Sequence, residues 1–132
     1  MSDEPTFSAY KSRSGWRRIA GAVRYSLAGL RSAWRHEHAF RQEVCVILPA
    51  TVAALLLPVA ALEKLLLVAT MVLVLVVELL NSAIEAVVDR VSLERHPLSK
   101  NAKDFGSAAV MLTVLLSAAC WVVVLWGLVV GR

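Results

Sequence analysis

Four polar side chains share one face of a strongly apolar segment. Glu78 interrupts an apolar run that begins at Leu65, and Asn81, Glu85 and Asp89 follow it at spacings of three, seven and eleven residues. At about 3.6 residues per helical turn, these spacings place all four groups in one stripe. A carboxylate at membrane depth is costly, so it generally faces a bundle interior or a water-filled site and serves a function. The stripe is therefore the candidate active site, where carboxylates can accept a proton or bind a hard cation.

The composition is too apolar for an ordinary soluble domain. Of the 132 residues, 58% are hydrophobic and only 18% are charged, which is typical of a small membrane protein. Three segments approach or exceed the about 20 apolar residues that a helix needs to cross the hydrocarbon core. They are residues 44–62, 65–88 and 107–131. We predict three transmembrane helices in one domain of residues 44–132.

The residues before these segments have a different pattern. Residues 1–15 form a polar tip, and residues 16–43 predict an amphipathic helix with arginines over much of its polar surface. Such a helix lies in the plane of the membrane interface. Its apolar positions recur at helical spacing and are Trp16, Ile19, Ala20, Val23, Leu27, Leu30 and Trp34. The predicted fold class is all-α, with this surface helix preceding three transmembrane helices.

The basic residues are unequally distributed around the predicted spans. Eight precede Val44 and four lie between the second and third spans, whereas the first turn has only Lys64 and the C-terminus only Arg132. Because Lys and Arg concentrate on the cytoplasmic side, we expect a cytoplasmic N-terminus and a C-terminus on the opposite side. This topology and anionic lipid headgroups account for the net charge of +4, so we expect no nucleic-acid partner.

A second polar cluster precedes the first span and contains Glu37, Arg41, Gln42 and Glu43. Arg41 and Gln42 are typical of any helix that enters a membrane interface. Glu37 differs, because a carboxylate on the same side of the membrane as Glu85 can complete a site for a divalent cation. Magnesium usually binds through one or two carboxylates together with substrate phosphates.

A third polar cluster fills the loop between the second and third spans. Pro97 is expected to break the preceding helix, and Ser99 or Asn101 can cap the next one. Many donors at the mouth of the carboxylate stripe suit a polyphosphate, although solvated loop charges have the same pattern. The sequence lacks GxxxxGK[ST], GxGxxG and HExxH motifs, so a nucleotide would bind without the usual phosphate loop. The cluster contains Glu94, Arg95, His96, Lys100, Asn101, Lys103 and Asp104.

Three stretches together resemble the small integral-membrane diacylglycerol kinases of bacteria. They are ELLNSAIEAVVDR at 78–90, AFRQE at 39–43 and AKDFGSAA at 102–109. The resemblance extends from about Arg18 to the end of the chain. It implies a homotrimeric enzyme of the bacterial inner membrane, with three transmembrane helices and a surface helix in each chain. Such an enzyme transfers the γ-phosphate of MgATP to diacylglycerol and makes phosphatidic acid.

The same resemblance implies roles for individual residues. Glu78 would be the general base, with Asn81 as a second catalytic residue, and Glu37 and Glu85 would hold Mg²⁺. The nucleotide would contact Arg18, Tyr25, Glu37, Glu85, Glu94, Arg95, His96, Lys103 and Asp104. The lipid substrate would contact Arg31, Ser32, Ala33, Trp34, Ala39, Phe40, Arg41, Gln42, Glu43, Glu78, Ser107 and Trp121.

The residues agree with this chemistry independently. Phosphoryl transfer depends mainly on positioning and charge neutralisation, which a cation and Lys103 can provide. Glu78 lies in an apolar wall, and desolvation makes a carboxylate a stronger base for a lipid hydroxyl. Asn81, one turn away, can orient that carboxylate or the hydroxyl. A polar stripe on a thin bundle also needs a covering partner, so we expect an oligomer.

Two alternative functions fit parts of the sequence. A kinase of the same fold that phosphorylates undecaprenol would use the same carboxylates, but residues 40–43 look more like the diacylglycerol type. A small transporter or proton-conducting protein could use Glu78 and Glu85 as carriers. The cluster of Lys103 and Asp104 at the cytoplasmic mouth favours a kinase over such a protein.

Overall fold

The computed structural model describes residues 15–131, and this part of the chain folds into four α-helices. They are α1 (Gly15–His36), α2 (His38–Leu56), α3 (Ala61–Val91) and α4 (Pro97–Val130). The predicted all-α class is therefore confirmed. Helices α2, α3 and α4 are each long and apolar enough to cross a membrane, as expected from the three apolar segments. The predicted polar tip lies outside the described residues except for Gly15, which is the first residue of α1.

The chain divides into two compact units, whose described parts are residues 15–32 and 33–131. The first unit is most of α1. Its large apolar side chains are exposed, including Trp16, Ile19 and Leu27, and the guanidinium of Arg24 lies 5.5 Å from the centroid of the Tyr25 ring. A helix with exposed apolar and basic side chains agrees with the predicted interfacial character, which stays a prediction.

The second unit begins with the end of α1 and a break before α2. The sequence predicted one helix through residue 43, but the backbone at Glu37 is extended, with φ −99° and ψ 111°. The guanidinium of Arg41 donates to the carbonyls of Trp34 and Arg35, both at 3.0 Å. These bonds satisfy carbonyls that the end of α1 would otherwise leave unpaired. Residues 38–43 therefore form the first turns of α2.

A short turn joins α2 to α3. Helix α2 passes through Pro49 and ends at Leu56 rather than at residue 62, and Pro58 lies in the turn, as expected. The ammonium of Lys64 donates to the carbonyl of Leu55 at 2.7 Å. The amide of Ala60 donates to the carboxylate of Glu63 at 3.0 Å. Side chains from α3 thus cap both helix ends that meet at this turn.

Helix α3 is central in the second unit, where it packs chiefly against α4 and also against α2. Two small apolar clusters fill the contacts, and Trp121 packs against both. Between them, the hydroxyl of Thr70 donates to Ser117 at 3.3 Å. Most other large apolar side chains of these helices face outward, as hydrocarbon or a partner helix would require. The clusters are centred on Ile47, Met71 and Val74, and on Ala54, Leu67 and Val124.

Helix α4 begins ten residues before the apolar segment that predicted it. Pro97 is its first residue, and His96 precedes it as the N-cap, with Nδ1 accepting from the amide of Leu98 at 3.2 Å. The expectation that Ser99 or Asn101 caps this helix is therefore wrong. Proline is well suited to the first helical position because its missing N–H would be unpaired there anyway. Residues 97–106 therefore form the first turns of α4.

Candidate active site

Glu78 lies in a cluster of carboxylates in the second unit. Its side chain is only 5% exposed, and the charges of Glu85 and Glu37 act on it. Glu43 from α2 also interacts electrostatically with Glu78. The α1–α2 break, α2 and α3 thus contribute four carboxylates to one neighbourhood. Such a concentration of negative charge in apolar surroundings favours bound protons or cations.

Asn81 fixes one member of this cluster. Its amide Nδ2 donates to Oε1 of Glu85 at 3.1 Å, which is the contact expected for residues four apart on a helix. The amide oxygen of Asn81 is buried and has no hydrogen-bond partner within residues 15–131. The sequence had suggested that Asn81 orients Glu78 or the lipid hydroxyl. The structure pairs its amide with Glu85.

One turn further along α3, the stripe meets the start of α4. Oδ1 of Asp89 accepts a hydrogen bond from the ammonium of Lys103 at 2.7 Å, and this ion pair joins the two helices. Lys100 and Asp104 form a second ion pair within α4. Sequence analysis placed Asp89 in the polar stripe but gave it no partner.

A cavity of about 860 Å³ opens beside these ion pairs, between the end of α3 and the beginning of α4. Its volume is within the range of small-molecule sites. Five of the residues predicted to bind nucleotide line it together: Glu94, Arg95, His96, Lys103 and Asp104. Asp89, Ser92, Ser99 and Lys100 complete its polar wall. The structure therefore gathers six of the seven residues of the predicted loop cluster around one space, all except Asn101. His96 also serves as the N-cap of α4.

A second cavity of about 360 Å³ lies among α2, α3 and α4. Its wall is mostly apolar, with Ile47, Met71 and Val74 from the core. Three residues predicted to contact the lipid line it: Gln42, Glu43 and Trp121. Because Glu43 also interacts with Glu78, this apolar cavity adjoins the carboxylate cluster.

Other predicted lipid contacts are not gathered there. Phe40 and Ala33 are buried by the protein itself, and Arg41 binds the carbonyls at the end of α1. Trp34, Ala39 and Ser107 are exposed and line neither cavity. Four predicted residues belong to the first unit, and their roles stay predictions: Arg18, Tyr25, Arg31 and Ser32.

Gly106 is a residue whose importance the sequence analysis missed. It is buried, and a Cβ atom built on it would overlap the amide oxygen of Asn81. Glycine costs a helix interior about 1 kcal/mol relative to alanine, so a glycine inside a helical pattern is a weak signal of a close approach; Gly29 has the same pattern, yet a Cβ there would meet nothing within 4 Å. That signal was present at Gly106, but the partner on α3 could not be read from the sequence.

The carboxylates fit the predicted magnesium. Residues 15–131 contain no group of three or more metal-binding side chains placed to hold an ion. Glu37 and Glu85 nevertheless both act on Glu78, so the two lie in one neighbourhood. Hard oxygen donors in this number are what Mg²⁺ uses when phosphates supply the remaining ligands.

Comparison with known proteins decides the family. The family model for prokaryotic diacylglycerol kinase matches residues 24–125. The chain belongs to this family. A diacylglycerol kinase from Pseudomonas aeruginosa is 52% identical over 120 residues, which cover 91% of this chain and 98% of the relative. Diacylglycerol kinases from Escherichia coli K12 and Helicobacter pylori J99 are 50% and 40% identical, and the matches cover 86% and 92% of this chain.

The family match extends over the whole candidate site of the second unit. It includes the four clustered carboxylates, both cavities and Gly106. It does not include Arg18, whose assignment to the nucleotide depends on the wider resemblance. Membership in this kinase family and three long apolar helices make the chain a membrane-bound ATP-dependent kinase.

Proposed function

We propose that this protein transfers the γ-phosphate of ATP to the primary hydroxyl of diacylglycerol and releases ADP and phosphatidic acid. The observation that carries the proposal is the buried carboxylate of Glu78, which lies in a cluster of carboxylates within a diacylglycerol kinase family chain. A base in apolar surroundings, reached by lipid from one side and by nucleotide from another, is what this transfer requires.

Glu78 acts as the general base. The lipid hydroxyl oxygen forms a bond to the γ-phosphorus while the bond from that phosphorus to the bridging oxygen of ADP breaks. The hydroxyl proton moves to the carboxylate of Glu78. Desolvation strengthens a carboxylate as a base, and its burial supports this role.

Glu37 and Glu85 would hold Mg²⁺, and Asn81 keeps Glu85 in position through the hydrogen bond between them. When bound, Mg²⁺ neutralises charge on the phosphate oxygens. Lys103 adds positive charge at the mouth of the site. The nucleotide occupies the cavity of about 860 Å³, whose lining of Glu94, Arg95 and neighbouring polar residues supports this assignment.

The lipid approaches from the apolar side of the carboxylate cluster. The cavity lined by Gln42, Glu43 and Trp121 supports this direction, because it is mostly apolar. Its residue Glu43 also interacts electrostatically with Glu78. The roles of Arg18 and Tyr25 toward the nucleotide, and of Arg31 and Ser32 toward the lipid, depend on the family resemblance alone.

The protein is a homotrimer of the bacterial inner membrane with a cytoplasmic N-terminus and a periplasmic C-terminus. Exposed apolar faces on all three long helices support an oligomer in a bilayer, and the family resemblance supplies the number three. The distribution of Lys and Arg supports the orientation. Alkaline phosphatase fused after residue 131 should be active only if that end is periplasmic, and a fusion in the loop after Val91 should be inactive.

The deciding experiment compares two lipid alcohols. Purified protein in mixed micelles receives ATP labelled at the γ-phosphate and equal amounts of diacylglycerol or undecaprenol. We expect labelled phosphatidic acid and little labelled undecaprenyl phosphate. Preference for undecaprenol would agree with the proposed mechanism but would show that the proposed lipid substrate is wrong. Labelling of neither lipid would contradict the proposed function.

A further inference from the structure

We propose that Gly106 is a positioning residue for the carboxylate of Glu85, and that it acts through Asn81. The inference concerns three groups on two helices, with Asn81 and Glu85 on α3 and Gly106 on α4. The expected effect on metal affinity rests on the proposed function. The expected effect on the position of Glu85 does not.

The contact between the helices leaves no space for a side chain at residue 106. A Cβ at that position would overlap Oδ1 of Asn81 and would lie 3.1 Å from its Cγ, but 3.7 Å from its Cβ. The first two contacts are too close, whereas the third is ordinary van der Waals contact. A Cβ added at residue 106 must therefore displace the amide group of Asn81.

The orientation of this amide follows from chemistry. An ionised carboxylate only accepts hydrogen bonds, so the NH₂ of Asn81 must face Glu85. Its Nδ2 is 3.1 Å from Oε1 of Glu85, and the amide oxygen consequently points to Gly106. That oxygen is buried without a hydrogen-bond partner within residues 15–131, so packing against Gly106 holds the amide in place. Moving the amide would release Glu85.

Variants at these positions separate positioning from general packing. Gly106→Ala should displace the amide, and Asn81→Ala should remove it. The double variant Asn81→Ala with Gly106→Ala should fit, because the two Cβ atoms would lie 3.7 Å apart. Gly29→Ala is the matched control, since a Cβ there meets nothing within 4 Å.

The first readout is independent of activity and of metal. The chain has only three carboxamide side chains, Gln42, Asn81 and Asn101, so the amide signal of Asn81 can be assigned in a nitrogen-15 spectrum by its loss in Asn81→Ala. We expect Gly106→Ala to shift this signal in the same direction as Glu85→Gln does, and Gly29→Ala to leave it in place. An unchanged signal in Gly106→Ala would overturn the inference, whatever the enzyme assay shows.

The second readout is the affinity for Mn²⁺, measured by electron paramagnetic resonance with a non-hydrolysable ATP analogue and without lipid. Loss of a group that orients a metal ligand typically weakens binding by about 10- to 100-fold. We expect a loss of this size in Gly106→Ala and in Asn81→Ala, with no further loss in the double variant. Losses that add in the double variant would show that Gly106 acts independently of Asn81 and would overturn the inference.

Folding is checked by the melting temperature of each variant. If Gly106→Ala does not fold, the double variant decides: recovery of folding and of the Asn81→Ala affinity supports the inference. Failure of the double variant to fold, when Asn81→Ala alone folds, contradicts it. Wild-type protein that phosphorylates no diacylglycerol would refute the proposed function and leave the nitrogen-15 result valid.

Discussion

At the scale of single residues, the proposed chemistry depends on a carboxylate kept away from water. Glu78 is 5% exposed, and it interacts electrostatically with Glu37, Glu43 and Glu85. Such surroundings favour a group that takes up a proton. The neighbouring carboxylates are better suited to hold a metal ion, because Asn81 already orients one of them.

Replacing Glu78 by glutamine tests its role as the base. Glutamine keeps the shape but cannot accept the hydroxyl proton, so we expect kcat to fall by about 100- to 10,000-fold. Phosphatidic acid formation measures the effect. Glu63→Gln is the matched control, because it makes the same change at the other end of α3, where a glutamine oxygen can still accept the bond from Ala60. Undiminished transfer by folded Glu78→Gln protein would exclude Glu78 as the base.

Asp89→Asn tests the ion pair beside the cavity that we propose for the nucleotide. Asp89 holds the ammonium of Lys103 at 2.7 Å, and it would compete for that ammonium with the phosphates of a nucleotide bound as proposed. We expect kcat to fall because Lys103 loses its orientation, while KM for ATP does not rise because the competition ends. Both partners are substantially exposed, so the melting temperature should change little.

Steady-state kinetics at varied ATP concentrations measures the split between kcat and KM. Asp89→Glu keeps the charge and should restore much of kcat. A raised KM with an unchanged kcat in Asp89→Asn would show that Asp89 does not orient Lys103 for the transfer.

At the scale of helices, a side chain of one helix can cap the end of the preceding helix. Lys64 of α3 donates to the carbonyl of Leu55 near the end of α2, at 2.7 Å. Lys64→Met removes a cation from a helix C-terminus, so we expect the free energy of unfolding to fall by about 1 kcal/mol. Unfolding in detergent micelles measures it. Lys64→Arg should retain most of the stability, and kcat should be unchanged in both variants because Lys64 is far along α3 from Glu78.

The sequence was sufficient for the helices but not for all of their ends. Apolar runs predicted three spanning helices because membrane burial requires such runs. Hydropathy placed the start of α4 at residue 107, because it indicates which residues contact hydrocarbon. The helix itself begins ten residues earlier, at Pro97. No glycine or proline lies near Glu37 to indicate that a helix ends there. The break is accompanied by bonds from Arg41 that only the folded chain reveals.

The candidate site was likewise predictable only in part. Helical spacing was enough to place Glu78, Asn81 and Glu85 on one face of α3. The pairing of Asp89 with Lys103 and the contact of Asn81 with Gly106 join different helices. Such contacts depend on how α3 and α4 pack, which periodicity within one helix does not determine.

At the scale of the whole molecule, the outward faces of the helices need a covering. The second unit buries few of its large apolar side chains by itself. Lipid tails can cover these faces, and so can the apolar helices of a neighbouring chain. The exposed apolar faces agree with the proposed trimer, in which the side chains of one site come either from one chain or from several.

Mixed oligomers show whether the carboxylates of one site come from the same chain. The charges of Glu37 and Glu85 act on Glu78 of the same chain, so we expect each proposed catalytic cluster to come from one chain. Glu78→Gln and Glu85→Gln proteins, unfolded together and reassembled, should then remain as inactive as each alone, because every cluster carries one defect. Reassembly of wild-type protein with Glu78→Gln is the control and should retain activity in proportion to the wild-type share. Recovered activity in the mixture of two inactive variants would show instead that one site takes Glu78 and Glu85 from different chains.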